Sequence, residues 1–140
     1  MGEIKSHRDL EAWQVAMDAV DSTYDLTEQF PPKEIYGLQS QMRRAAVSVP
    51  SNIAEGQARP LRAALNHLSI ALGSLAELDT QLEVAARRKY VTSESVTRLR
   101  ALLESSGRLV SGLRRAKRLR LGVSVVGSAG VVFLALRLLA

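Results

Sequence analysis

Two histidines, fourteen carboxylates and nineteen lysines and arginines are the side chains of this 140-residue chain that could do chemistry, and cysteine is absent. A carboxylate-bridged pair of metals in a helical protein needs Glu-x-x-His, which puts both ligands on one side of a helix. His7 and His67 each stand outside such a pair. Gly-x-Ser-x-Gly, a phosphate loop and His-Glu-x-x-His are also missing from the sequence. Without cysteine there is no disulfide, thiolate metal site or thiol nucleophile. The chain therefore reads as non-enzymatic, with no metal and no cofactor expected. His67 is expected to be a surface or capping side chain on a helix.

Charge is the remaining chemistry. The formal charge of +5 is unevenly spread. Residues 1–34 carry eight acids and three bases, while residues 35–140 carry six acids and sixteen bases. Such a split steers an anionic partner to one end, or lets like chains pack acidic face on basic face. The candidate phosphate contacts are Arg43 and Arg44, the run Arg87, Arg88 and Lys89, then Arg98, Arg108, Arg114 and Arg115. With no aromatic interleaved, these supply affinity for RNA or DNA rather than sequence reading. The same runs also suit solvated helix ends, where cations meet the dipole.

The elements that must position these side chains are helical. Hydrophobic residues make up 46% and aromatics only 4%, a balance suited to Leu- and Ala-rich helix packing rather than to sheets. Leu10, Trp13, Met17, Val20, Tyr24 and Thr27 recur at steps of three and four, which predicts one buried face of a first helix. Phe30-Pro31-Pro32 stops it. A second helix is predicted to restart at Lys33-Glu34, with the stripe Ile35, Leu38, Met42, Ala45, Val49 and Ile53, and to end near Gly56. Pro50 inside that stripe predicts a bend, with Ser48 and Ser51 placed to re-satisfy the freed carbonyl. Pro60 opens a third helix with the stripe Leu61, Leu65, Leu68, Leu72, Leu75 and Leu82. Thr92 or Ser93 caps a fourth, which carries Val96, Leu99, Leu103, Ser106, Val110 and Leu113. Short connections make consecutive helices antiparallel, so the fold class is an all-α, up-down-up-down four-helix bundle over residues 1–118.

Residues 119–140 form an apolar C-terminal tail. The basic cluster from Arg114 to Arg120 precedes a run from Leu121 to Ala140 broken only by Ser124, Ser128 and Arg137. Two readings stay open: a membrane anchor whose basic flank remains cytoplasmic, or an apolar extension that packs on the bundle or between subunits. The polar stretch from Met1 to His7 has no apolar core of a secretory signal. A cytoplasmic location is expected, with the inner membrane as the alternative.

The stretch from Gln39 to Gly56, QSQMRRAAVSVPSNIAEG, followed by Arg59, closely resembles the signature of the 23S rRNA intervening-sequence proteins, also called four helix bundle proteins. The resemblance extends to Asp9–Gln14, Tyr24–Thr27, Ala71–Leu82 and Gly107–Leu113, so it covers about residues 7–116. Within the signature, Pro50, Asn52, Glu55, Gly56 and Arg59 read as a structural motif that holds the bend and the turn into the third helix. A Glu55–Arg59 pair at i,i+4 would be worth only tenths of a kcal/mol. The family is similar in fold to the accessory variability determinant of diversity-generating retroelements, a homopentamer that binds nucleic acid and a reverse transcriptase. The resemblance thus implies self-association into a ring of five copies, with RNA or DNA and a reverse transcriptase or other protein as partners. The alternative is a membrane-tethered helical scaffold for a protein partner.

Overall fold

The computed structural model describes the backbone of residues 2–138 and the side chains of residues 2–122. Its α-helices are α1 (Glu11–Thr27), α2 (Leu38–Gln57), α3 (Leu61–Arg87) and α4 (Ser93–Leu138), and no strand occurs among the described residues. Each helix packs on the next in sequence, and α1 closes on α4. Cross-helix contacts fix the directions. Ser48 meets Ser74 and Asn52 meets His67, so α2 and α3 are antiparallel. Arg100 reaches Glu83 while Arg114 reaches Ser69, so α3 and α4 are antiparallel too. The result is the expected up-down-up-down bundle.

The helix ends follow local chemistry. Ser6 caps a 3-10 turn (His7–Asp9) ahead of α1, and the Asp9 carboxylate returns to the Ser6 amide. Thr92 caps α4: its hydroxyl accepts from the Ser95 amide at 3.2 Å. At the end of α3, Tyr90 N–H donates to Ala85 O and Lys89 N–H to Ala86 O, both at 3.0 Å. This is a Schellman close, and Lys89 sits at φ 58 where glycine is usual.

The second helix starts later than Lys33-Glu34. Pro32–Glu34 is a separate 3-10 turn, and Gly37 leaves helical angles at φ −108, ψ −118. The Glu34 side chain then caps α2, because Oε2 accepts from the Leu38 amide at 2.9 Å. A Cβ on Gly37 would lie 2.7 Å from that oxygen, so only glycine leaves the carboxylate its place. Ile35 falls before the helix and is exposed, rather than opening its buried stripe. Pro50 lies within α2, buried, and the helix continues through it to Gln57. Ser48 does not turn back to a carbonyl; its hydroxyl crosses to Ser74 on α3 at 2.8 Å.

Much of the α4 stripe is buried, but along α3 only Leu68, Leu75 and Leu82 of the predicted stripe are, while Leu61, Leu65 and Leu72 are half-buried and Leu78 takes an inward position. Leu68, Leu75, Leu78 and Leu82 face Val96, Leu99, Leu103 and Val110, all buried. The first helix differs. It buries Ala12, Ala16, Ala19, Thr23 and Leu26, with Val20 and Thr27, while Trp13 and Met17 are half-buried and Tyr24 is 41% exposed. Leu10, Val20 and Thr27 of the predicted stripe are buried, but the face is shifted from Trp13, Met17 and Tyr24 toward the alanines and Thr23. Thr23 and Thr27 are tolerated inside because their hydroxyls donate back to Ala19 O and Thr23 O, at 2.7 and 2.8 Å.

The boundary at residues 118 and 119 falls inside α4, which runs on without interruption. Among the described residues no helix is long and apolar enough to cross a membrane. The side chains from Val123 onward, which carry the tail reading, lie outside the described residues.

Candidate functional site

The signature residues meet at the seam between α2 and α3. Asn52 Nδ2 donates to Ser48 O at 2.8 Å and to Ser48 Oγ at 3.1 Å, which turns its Oδ1 toward His67 Nδ1 at 3.1 Å. Glu55 Oε2 approaches the same ring nitrogen at 3.2 Å. Both neighbours of Nδ1 are acceptors, so that nitrogen carries a hydrogen; the tautomer is assigned from its partners. His67 is therefore no isolated surface side chain, since it is only 19% exposed and ties α3 to α2. Glu55 turns across to His67 instead of along the chain to Arg59, which is exposed beyond the end of α2. Gly56 makes the close approach possible. A Cβ there would sit 3.3 Å from the His67 Cβ and 3.4 Å from Ala64 O.

A second feature lies on the face shared by α1 and α2. Near their connection an open groove of about 670 Å³ is lined by Tyr24, Ile35, Tyr36, Gln39, Ser40, Arg43, Arg44, Val47, Ser48 and Ser51. Arg43 is fixed in it. Its Nε donates to Thr27 Oγ1 at 2.9 Å, and its guanidinium carbon lies 4.4 Å from the centre of the Tyr24 ring. Farther along the same face, Trp13, Met17, Val20, Val47, Pro50, Ser51 and Ala54 surround a smaller hollow of about 240 Å³. His7 packs edge-on to Trp13 and the Arg8 guanidinium lies over its ring.

With this geometry established, comparison with known proteins decides the family. The 23S rRNA-intervening sequence protein model matches residues 8–112. The chain belongs to this family. Its fold is similar to the crystal structure of a Bacteroides thetaiotaomicron protein of unknown function from the S23 ribosomal protein family. The TM-score is 0.67 at 22% identity, covering 74% of this chain and 95% of that one. None of the curated proteins compared with it matches.

In this family member the candidate phosphate contacts are scattered. Arg43 and Arg44 lie in the first half of α2, and Arg44 is exposed. Arg87, Arg88 and Lys89 are exposed at the end of α3, where Arg87 pairs with Glu83 at 2.9 Å. Arg98 stands 3.6 Å from Glu94 and borders a cleft that also holds Asp18, Asp21 and Asp25. Arg108 and Arg115 are exposed on α4, while Arg114 donates to Ser69 Oγ at 3.1 Å. Arg43 and Arg44 share a groove with Tyr24 and Tyr36, and Arg88 shares a cleft with Tyr90 and Glu34. Glu83 is held below the usual carboxylate range by its hydrogen bonds from Arg87 and then Arg100. Lys117 is pushed below the ordinary lysine value, first by burial and then by the Arg120 charge. Among the described residues no three His, Asp or Glu side chains gather as a metal-ligand set.

Sequence reading missed three residues here. His67 was visible only as a lone histidine. Glu34 joins its Leu38 cap to the Tyr90 hydroxyl, which donates to Oε1 at 3.2 Å from fifty-six residues away. Tyr36, next to the signature, is 98% exposed.

Proposed function

We propose that this family member is a non-catalytic helical scaffold that associates with itself, as the pentameric ring implied by the resemblance, and holds nucleic acid on its basic side chains. The observation that carries the reading is the pair of large apolar side chains that α1 leaves half-buried. Alanines take many of its inward positions, while Trp13 and Met17 stay half-buried beside Pro50 and Ala54. A lone bundle gains more from burying Trp than Ala, since the gain scales with the apolar area removed from water. Large apolar side chains left together on a face mark a surface that another surface covers. Like chains can cover it head to tail, and such contacts close into a ring when the rotation per subunit allows.

Light scattering on the full chain tests the self-association. The expected result is a closed assembly at micromolar concentration. Trp13→Glu and Met17→Glu should lower its mass while the helical circular dichroism persists, because neither residue is fully buried. A monomeric wild-type protein would overturn the reading. The nucleic-acid part predicts affinity for an oligonucleotide that falls steeply with salt, because each phosphate contact releases counterions.

A further inference from the structure

The geometry points to a stacking site for single-stranded nucleic acid in the groove between the α1–α2 connection and the start of α2, with Tyr36 as the base platform and Arg44 as the phosphate contact. This rests on the nucleic-acid part of the function proposed above, and it names the strand form and the place.

Three observations support it. First, the groove combines two arginines, two tyrosines and hydrogen-bonding side chains such as Gln39 and Ser40, with no carboxylate among the described residues of its lining. The other basic clefts are different: Arg98 faces three aspartates, Arg88 shares its cleft with Glu34, and the cleft on the far side of Arg44 holds Glu77. That Glu77 carboxylate already accepts from Gln81 at 3.2 Å. An anion is therefore favoured in this groove over those clefts.

Second, Tyr36 is 98% exposed on a segment whose backbone is pinned. Ile35 N–H donates to Pro32 O and Gly37 N–H to Glu34 O, while the Glu34 side chain is held by Leu38 and Tyr90. The ring is thus presented without the ordering cost of a flexible loop, and every base has a face that can stack on it. Third, Arg43 lies against Tyr24 with its Nε bonded to Thr27, so one wall of the groove is a fixed, positively charged aromatic pair. A duplex, whose bases are already stacked, cannot use such a platform.

The test is fluorescence anisotropy with the full chain, a labelled 20-nucleotide oligo(dT) and a duplex of equal length at the same salt. The single strand should bind more tightly. Tyr36→Ala should weaken it about tenfold, as loss of one stacked base does, and Tyr36→Phe should restore it. Arg44→Ala should weaken binding and flatten the salt dependence by about 0.7 in log–log slope. No binding by the wild-type protein at low salt overturns the groove and the nucleic-acid reading together. Binding unchanged by Tyr36→Ala and Arg44→Ala but weakened by replacing Arg87, Arg88 and Lys89 overturns the groove alone. A fall in assembly mass for Tyr36→Ala would make the groove a contact between copies and overturn the site.

Discussion

The two halves of the bundle solve packing in opposite ways. Along α3 and α4 leucines and valines form much of the core, and Leu78, Leu82, Leu99 and Val110 are wholly buried, while Ile70 and Val84 stay exposed. Along α1 the inward positions go to Ala12, Ala16 and Ala19 as well as Val20 and Leu26, and the tryptophan and methionine are only half-buried. The first arrangement is complete within one chain. The second brings α1 close to its neighbours and leaves apolar area uncovered, as expected of a helix that has a second surface to serve. On the proposed self-association, the difference separates positions that hold the fold from positions that would serve assembly.

The sharpest way to break that contrast is to truncate one residue from each half. Leu78→Ala in α3 should cost about 2–5 kcal/mol of stability by urea titration, since it opens a cavity in a closed core. Trp13→Ala should cost clearly less and act mainly on assembly mass; equal losses of stability would erase the distinction. Pro50→Ala should raise stability by up to about 3 kcal/mol, because the missing N–H returns within α2. If the ring of Pro50 belongs to the assembly face, the same variant loses mass. Stability and mass rising together would remove Pro50 from that face.

Smaller effects sharpen the picture. Gly56→Ala should destabilise by about 1 kcal/mol, since crowding of His67 and Ala64 O outweighs the gain in helix propensity. Lys89→Gly should stabilise by about 1 kcal/mol by relieving the left-handed position. The smallest effect concerns pH. Glu83 has a depressed pKa, so its contribution is fully present above the ordinary carboxylate range and disappears as pH falls through the depressed value. The melting-temperature gap between wild type and Glu83→Gln should therefore be present at pH 7 and close in acid.

The α4 stripe was legible because size and spacing agree there, with Val96, Leu99, Leu103 and Val110 inside, whereas in α3 the inward face is shared between leucines and Ala64, Ala71 and Ala85. In α1 the same spacing runs through two sets, Trp13-Met17-Tyr24 and Ala12-Ala16-Ala19-Thr23, and hydrophobicity favours the wrong one. Periodicity alone cannot know that neighbouring helices approach closely enough to prefer methyl groups. The signature was legible as a motif but not as a contact set, since Glu55 has Arg59 four residues away yet pairs with His67, twelve residues on. Tyr36 was hidden for a related reason: an apolar-looking Ile35-Tyr36 invites a buried stripe, and only the Glu34 cap shows that the helix starts after it.

The length of α4 has a mechanical consequence. At about 1.5 Å per residue its 46 residues span roughly 69 Å, against about 40 Å for the 27 of α3. The pairing of Arg114 with Ser69 brings the start of α3 level with about residue 121, so roughly 25 Å of helix runs past that end. Nothing in the backbone hydrogen-bonding interrupts the helix there to act as a joint. A tilt of the bundle by about 10° would therefore swing the tip of the projecting rod by roughly 4 Å.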